Sequence, residues 1–418
     1  MLTAEENERL SRVGPGTPCG NLMRHYWHPI AASAQMAKPG TRPVRILGEN
    51  LVLYRDQQGG LGLLEPHCAH RKAGLVFAMP DKAGLRCGYH GWLYNAKGQC
   101  IDQPFEAFLH PKTQWKNEIK IKAYPVEELG GLIFAYLGPE PRPLLPRWES
   151  LVLDDVHREI GLAIIPCNWL QTVENASDPS HTVTTHWQMS EHVLSKLGRS
   201  DLRRHNESTG ASGYFKIQPE PEGPYGLGHV LFPYIDAQSD LTYQIRVPVN
   251  DTHTLHIWYM VHTPEMQAEL GIKLPPQPDQ RDIPVFDVPV PSLVNGVEPD
   301  WAVLDSNSGQ DLVMWYSQGP ILDRTSENLS NGDMNIIRLR RYLDDQIKIV
   351  EAGGEPINVF RNPSKNVCLV PTRTAPMPPI VAADGRPDRT NAARKYSPAF
   401  TKATVARMSA TALLDPAY

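Results

Sequence analysis

The chain has 418 residues, 41% hydrophobic and 21% charged, with a formal net charge of −5. That length allows two or three domains, and the composition is that of an ordinary globular protein. No basic run invites nucleic acid and no apolar stretch reaches bilayer-spanning length, so neither nucleic acid nor a membrane is expected as a partner. The N-terminus, MLTAEENERLSRVGPG, lacks the apolar core of a secretory signal. The six cysteines are scattered without a disulfide-framework spacing, which points to a reducing cytoplasm.

In chain order, TAEENERLSRVG predicts a short helix, with Thr3 and Glu6 placed as a capping box. From Arg45 to Gly138 the text is β-rich and cut by Gly and Asn turns. VRILGENLVLYRD, GWLYNAKGQCID (a hairpin across Asn95 to Gly98) and IKAYPVEELGGLIFAYLG are its clearest runs. PEPRPLLPRWES is a proline-rich joint. Beyond it, CNWLQTVENASD is helix-like. YFKIQPE, HVLFPYI, LTYQIRVPV and HTLHIWYMVHT alternate as strands of an antiparallel sheet. MNIIRLRRYLDDQIKIVEAGG is the strongest helix, with Ile336, Ile337, Leu339, Leu343, Ile347 and Val350 near helical spacing. The tail from Pro371 is expected to wrap over the surface or a neighbouring subunit.

Two constellations carry chemistry. The first is Cys68-x-His70, sixteen residues, then Cys87-x-x-His90, in glycine-bearing loops. Zinc would accept two Cys and two His, but fingers usually order a Cys pair before a His pair. One of each in both halves is the order of a Rieske [2Fe-2S] centre, two Cys on one iron and two His on the other. His67 breaks the spacing and reads as a loop residue, and Cys100 as a core thiol.

The second is NWLQTVENASDPSHTVTTH, with Glu174, Asp178, His181 and His186. Two imidazoles and a carboxylate form a facial triad for non-haem iron. Histidines five apart stand about 140° apart on a straight helix, so the helix must distort or end here, and Pro179 supplies a reason. The third ligand must come from far along the chain. Asp311 in SGQDLVMWYSQGPILDRT is the first candidate, with Asp305 and Asp323 as rivals, and Asp323 beside Arg324 reads as a turn salt bridge.

The motifs C-x-H…C-x-x-H and E-x3-D-x-x-H-x4-H, in this order, resemble the large subunit of a Rieske non-haem iron aromatic ring-hydroxylating oxygenase. RVGPGTPCGNLMRHYWHPIA, GYHGWLYNAKGQC and QGPILDRTSENLSNGD resemble its phthalate-dioxygenase-like branch. The resemblance implies an α+β chain. Residues 1–40 would form an N-terminal helical segment packing on the catalytic domain. Residues 41–145 would form a Rieske antiparallel β domain. Residues 146–418 would form a helix-wrapped antiparallel sheet (helix-grip, START-like) with a C-terminal extension. It implies a Rieske [2Fe-2S] cluster on Cys68, His70, Cys87 and His90, and one mononuclear Fe(II) on His181, His186 and Asp311. Asp178 would link His181 to His90 of a neighbouring subunit in a homotrimer or stacked hexamer.

Electrons from NAD(P)H would arrive through a ferredoxin or flavin reductase component, with O2 and an aromatic acid as substrates. ENASDPSH departs from the EG-x-x-D form of phthalate-type ring dioxygenases. That favours O-demethylation of a lignin-derived biaryl acid of the dehydrodivanillate kind, with formaldehyde release, over cis-dihydroxylation of a phthalate- or benzoate-type acid. The carboxylate calls for an arginine, and Arg203, Arg204 and Arg246 are candidates; YGLGHVLFPYI is a candidate pocket lining or plain core. A Rieske electron carrier and a zinc-stabilised binding module are the non-enzyme alternatives.

Overall fold

The computed structural model describes residues 2–178, 180–198, 222–223, 226–227, 230–238, 241–270, 273–371, 380–381, 387–388 and 396–398. Arg203, Arg204, Pro179, the expected strand YFKIQPE and most of the tail lie outside the described residues.

The first helix, Ala4–Ser11, is closed by the expected capping box. The Thr3 amide donates to Glu6 Oε2 at 2.7 Å, and the Glu6 amide donates to Thr3 Oγ1 at 3.2 Å. This helix and Pro18–Met23 both touch the long helix Met334–Glu351. Residues 27–32, within the segment expected to be helical, form a strand that pairs antiparallel with Leu132–Tyr136. That strand pairs in turn with Val126–Leu129 across Gly130 and Gly131, whose φ values of 59° and 83° suit glycine. Two four-stranded antiparallel sheets lie between these pairings in the sequence. One joins Gly40–Ile46, Glu49–Arg55, Leu61–Leu64 and Ala123–Tyr124; the other joins Met79–Asp81, Gly84–Arg86, Leu93–Tyr94 and Cys100–Asp102. They enclose their own small core, which includes Val52, Tyr54, Leu75, Leu85, Trp92 and Cys100.

The second half is built on an eight-stranded sheet. Its order is 222–223, 226–227, 230–231, 235–237, 243–250, 253–262, 157–165, 285–287. Every neighbouring pair is antiparallel except the last, so the sheet is mixed where a purely antiparallel one was expected. The reason is the register: His262 ends opposite His157 and Val285 begins opposite Ile160, so the chain re-enters on the far side of His157–Ile165 at the same end and runs parallel to it.

Strand alternation gives the sheet two faces. Tyr243, Ile245, Val247, Ile257, Tyr259 and Val261 belong to the main core, with the helices Trp169–Ala176 and Met334–Glu351. A cavity of about 40 Å³ on that face, lined by Tyr26, Trp27, Phe232 and Tyr243 among others, is remote from the chemistry below. The opposite face carries Gln244, Arg246, His256, Trp258 and Met260. It packs with Ala163 and Ile165 under Leu312 and Trp315 of the helix Asn307–Ser317.

Candidate metal centres

The first constellation occupies two tight loops. The Cys68 amide donates to the Ala73 carbonyl at 2.9 Å, and the Cys87 amide donates to the Trp92 carbonyl at 2.8 Å. Gly91, at φ 74°, turns the second loop where a Cβ would crowd Pro104. Both thiols are buried and free, at 1% and 2% exposure, whereas His70 and His90 are exposed. The two imidazoles are 4.4 Å apart between ring centres, and His70 stacks on Trp92 at 4.6 Å. The Tyr94 hydroxyl lies 3.1 Å from Cys68 Sγ and accepts from the Ala69 amide at 3.2 Å. Burial raises the Cys68 thiol above its ordinary pKa, against the lowering effect of the Tyr94 hydroxyl, with the neighbouring Cys87 adding to the rise. Two buried thiols beside each other, with two imidazoles facing outward, fit a diiron cluster whose sulfur-bound iron is inside and whose nitrogen-bound iron is outside.

In the second constellation, one ligand atom from each of His181, His186 and Asp311 lies within 4.8 Å of the others. His181 and His186 are on one face because Thr184–Gln188 is a π-helical turn. Its wider i→i+5 geometry reduces the offset that a regular helix imposes on residues five apart. The ring centres are 5.0 Å apart. Asp311, buried in the first turns of Asn307–Ser317, places Oδ1 3.2 Å from His186 Nε2 and 3.8 Å from His181 Nε2. Burial would raise the Asp311 carboxyl, but His186, His181 and Arg246 outweigh it and hold the group below the usual carboxylate range. Two imidazole nitrogens and one carboxylate oxygen fit a ferrous triad.

Asp178 meets His181 chiefly through its backbone. Its backbone carbonyl, 2.5 Å from His181 Nδ1, makes the close contact, while its carboxylate oxygen stands 3.7 Å away. The carboxylate instead accepts from the Ser180 amide and hydroxyl at 2.7 and 2.5 Å. Burial raises the Asp178 carboxyl, yet the His181 and Ser180 contacts bring it below its ordinary value.

The rival carboxylates are employed elsewhere. Glu174 is clamped by Arg324 at 2.8 Å and by Arg340 at 2.7 Å. Asp323 does not pair with Arg324: it accepts from Thr325, and Arg324 turns inward to Glu174. Asp305 follows the short helix Trp301–Leu304 and is not part of the ligand cluster.

Three residues escaped the sequence reading. Asn175 donates to Asp311 Oδ1 at 3.4 Å, and Gln310 accepts from His186 Nδ1 at 3.2 Å. His256, opposite Arg246 in the sheet, is fully buried and stacks on Trp258 and Trp315. Among the described residues, neither ring nitrogen of His256 nor the Nε of Arg246 has a hydrogen-bond partner. The signal for this pair was strand alternation, which places Arg246 on the same side as Gln244.

Comparison with known proteins identifies the architecture. Residues 26–123 match the Rieske [2Fe-2S] domain family, and residues 299–370 match a LigXa C-terminal domain-like family. The chain is 37% identical over 378 residues to the 5,5'-dehydrodivanillate O-demethylase oxygenase subunit of Sphingobium sp. strain SYK-6, covering 88% of this chain and 86% of that protein. The chain belongs to the Rieske non-haem iron oxygenases. It is 28% identical over 430 residues to the phthalate 4,5-dioxygenase oxygenase subunit of Pseudomonas putida, covering 92% of this chain and 93% of that protein. NdmA of Pseudomonas putida CBB5 shares the fold at a TM-score of 0.56 and 18% identity, over 81% of this chain and 94% of that structure. As a Rieske oxygenase of the phthalate-dioxygenase-like branch, the protein is a terminal oxygenase for aromatic compounds. Its cofactors are a Rieske [2Fe-2S] cluster and a mononuclear iron. Among the described residues no helix is long and apolar enough to cross a membrane.

Proposed function

We propose that this oxygenase O-demethylates a methoxylated, lignin-derived aromatic or biaryl acid of the dehydrodivanillate kind. Two electrons, two protons and O2 are consumed, and a phenol, formaldehyde and water are formed. The relative from Sphingobium supports the reaction type. The observation that carries the acid is Arg246, a cation at 1% exposure that donates to Asp236 at 3.5 Å and to Gln244 at 3.0 Å. A buried guanidinium with a donor to spare is a counter-charge for a carboxylate. Its neighbour His256, driven well below its ordinary pKa by burial and by Arg246, is a neutral imidazole able to hydrogen-bond a second polar group of the ring. Trp258 and Trp315 supply flat apolar walls.

In this reading Cys68, His70, Cys87 and His90 hold the cluster, and His181, His186 and Asp311 hold the iron, which supplies O2 activation when bound. The protein's own groups orient the ring and exclude water. Asp178 lies between His181 and the outward-facing His90 of a neighbouring subunit in a homotrimer, stacked or not. Exposed Phe77, Tyr89, Phe105, Phe108 and Trp115 in the same cluster domain support such docking. Electrons come from NAD(P)H through a ferredoxin or flavin reductase component, and the reaction is cytoplasmic.

The test is oxygen uptake with a panel of methoxylated and unmethoxylated aromatic acids, with formaldehyde assayed in parallel. Formaldehyde in step with oxygen uptake is expected. Uptake with ring diols and no formaldehyde would instead establish cis-dihydroxylation, the reading that the phthalate dioxygenase relative supports.

A further inference from the structure

We propose that Gln310 is a positioning residue for His186, fixing its tautomer through a chain of contacts that begins at a backbone carbonyl. The proposal rests on the reading that His181, His186 and Asp311 hold the iron. Gln310 is fully buried, next to Asp311 on the helix Asn307–Ser317. Its amide nitrogen donates to the Leu304 carbonyl at 3.0 Å and to Ser190 Oγ at 2.8 Å. A backbone carbonyl only accepts, so the amide group facing Leu304 must be the NH2. Oε1 is thereby turned toward His186 Nδ1, 3.2 Å away.

An amide oxygen also only accepts, so Nδ1 carries the proton. His186 Nε2, 3.2 Å from Asp311, therefore keeps its lone pair for a metal. Ser190 completes the chain, because its hydroxyl donates to the His186 carbonyl at 2.9 Å and is left to accept from Gln310. His181 reaches the same tautomer without an intermediary, its Nδ1 facing the Asp178 carbonyl.

Gln310 thus joins the π-turn, the helix Met189–Lys196 and the short helix Trp301–Leu304 at one point beside the ligand set. A neutral amide supplies the acceptor without placing a second anion next to Asp311. Outer contacts of this kind typically tune metal affinity by roughly 10- to 100-fold.

The experiment uses the full-length subunit with its cluster in place. The mononuclear site is emptied by chelation and titrated with Fe(II), and the electron paramagnetic resonance of the nitric oxide adduct is recorded. Gln310→Leu is expected to weaken Fe(II) binding roughly 10- to 100-fold and to shift the rhombicity of that signal, with the Rieske spectrum unchanged. Gln310→Asn withdraws the same amide by one methylene and should follow Leu, which keeps the test open if the Leu variant does not fold. Gln310→Glu keeps an acceptor toward Nδ1 but loses the donor to the Leu304 carbonyl and adds an anion beside Asp311, so it too should depart from natural Fe(II) binding. Natural affinity and signal in the Asn variant would overturn the proposal. Weakened Fe(II) binding in the Leu and Asn variants with no change in the rhombicity of the nitric oxide signal would also overturn it, since it would point to packing alone. Asp311→Ala is the control: iron retained there would reject the ligand assignment itself, an outcome separable from failure at Gln310.

Discussion

Arg246 and Asp311 set the electrostatics of the proposed pocket together. Each influences the other: Arg246 helps hold the Asp311 carboxyl low, while burial pulls Arg246 down from its ordinary value against Asp236 and Asp311. The Arg246 guanidinium lies over the Trp315 ring, 5.3 Å from its centre. Substituting Arg246→Met keeps the length and apolar contact and removes the fork. A charge-assisted contact of about 1.5–3 kcal/mol corresponds to roughly a 10- to 100-fold rise in KM for an aromatic acid, with neutral methoxyarenes little affected. Steady-state oxygen uptake with paired acid and amide substrates measures this. Equal losses on both members of a pair would remove Arg246 from substrate binding.

The helix Trp169–Ala176 delivers Asn175 and, two residues past its end, Asp178, so its seating matters to the site. That seating depends on Glu174, which is held by Arg324 at 0% and Arg340 at 4% exposure. Removing one partner of a buried ion network leaves charge uncompensated and typically costs about 3–5 kcal/mol. Glu174→Gln is therefore expected to lower the urea midpoint markedly, and the effect should depend on pH. Burial raises the Glu174 carboxyl, but Arg324 and Arg340 more than reverse this, so its folded pKa lies below the ordinary 4.5. A depressed folded pKa contributes stability above the unfolded value and loses it as pH falls through the folded one. The gap between the natural protein and Glu174→Gln should thus be full at neutral pH and narrow in acid below about 4.5. Denaturation curves at several pH values check it, and a gap independent of pH would contradict it.

At the scale of the whole molecule, the exposed His70 and His90 lie in the same cluster domain as large apolar side chains open to water. Phe77 is 85% exposed and Phe108 79%, values that a folded chain rarely leaves uncovered in a cluster. Phe108→Asp is expected to shift sedimentation toward monomer while both metal sites remain filled. Asp178→Asn is expected to leave the assembly and both metals intact yet abolish most turnover, because the link between centres is weakened. Rapid-mixing reduction of the cluster followed by single-turnover product analysis separates the two. A monomeric Phe108→Asp protein with full turnover would argue against transfer between subunits.

The cluster loops were legible in the sequence because their ligands lie close together along the chain, and chemistry fixes both their types and their order. The long helix and the strands around His253 were legible from periodicity, which burial on one face imposes. Four features were not. The pairing of residues 27–32 with 132–136 and the parallel edge strand depend on contacts distant in sequence, which no local pattern encodes. The choice of Asp311 over Asp305 and Asp323 could be carried by resemblance, but spacing left it open. Only the packing of Asn307–Ser317 against the π-turn brings that carboxylate to the two histidines. The hydrogen bonds that seat those ligands through Asn175 and Gln310 likewise exist only once the helices are assembled. Thus the sequence by itself determined which metal chemistry the chain supports, since ligand types are local. The tertiary structure decided which groups aim and surround the metals, since directional contacts a few ångströms long join residues more than a hundred positions apart.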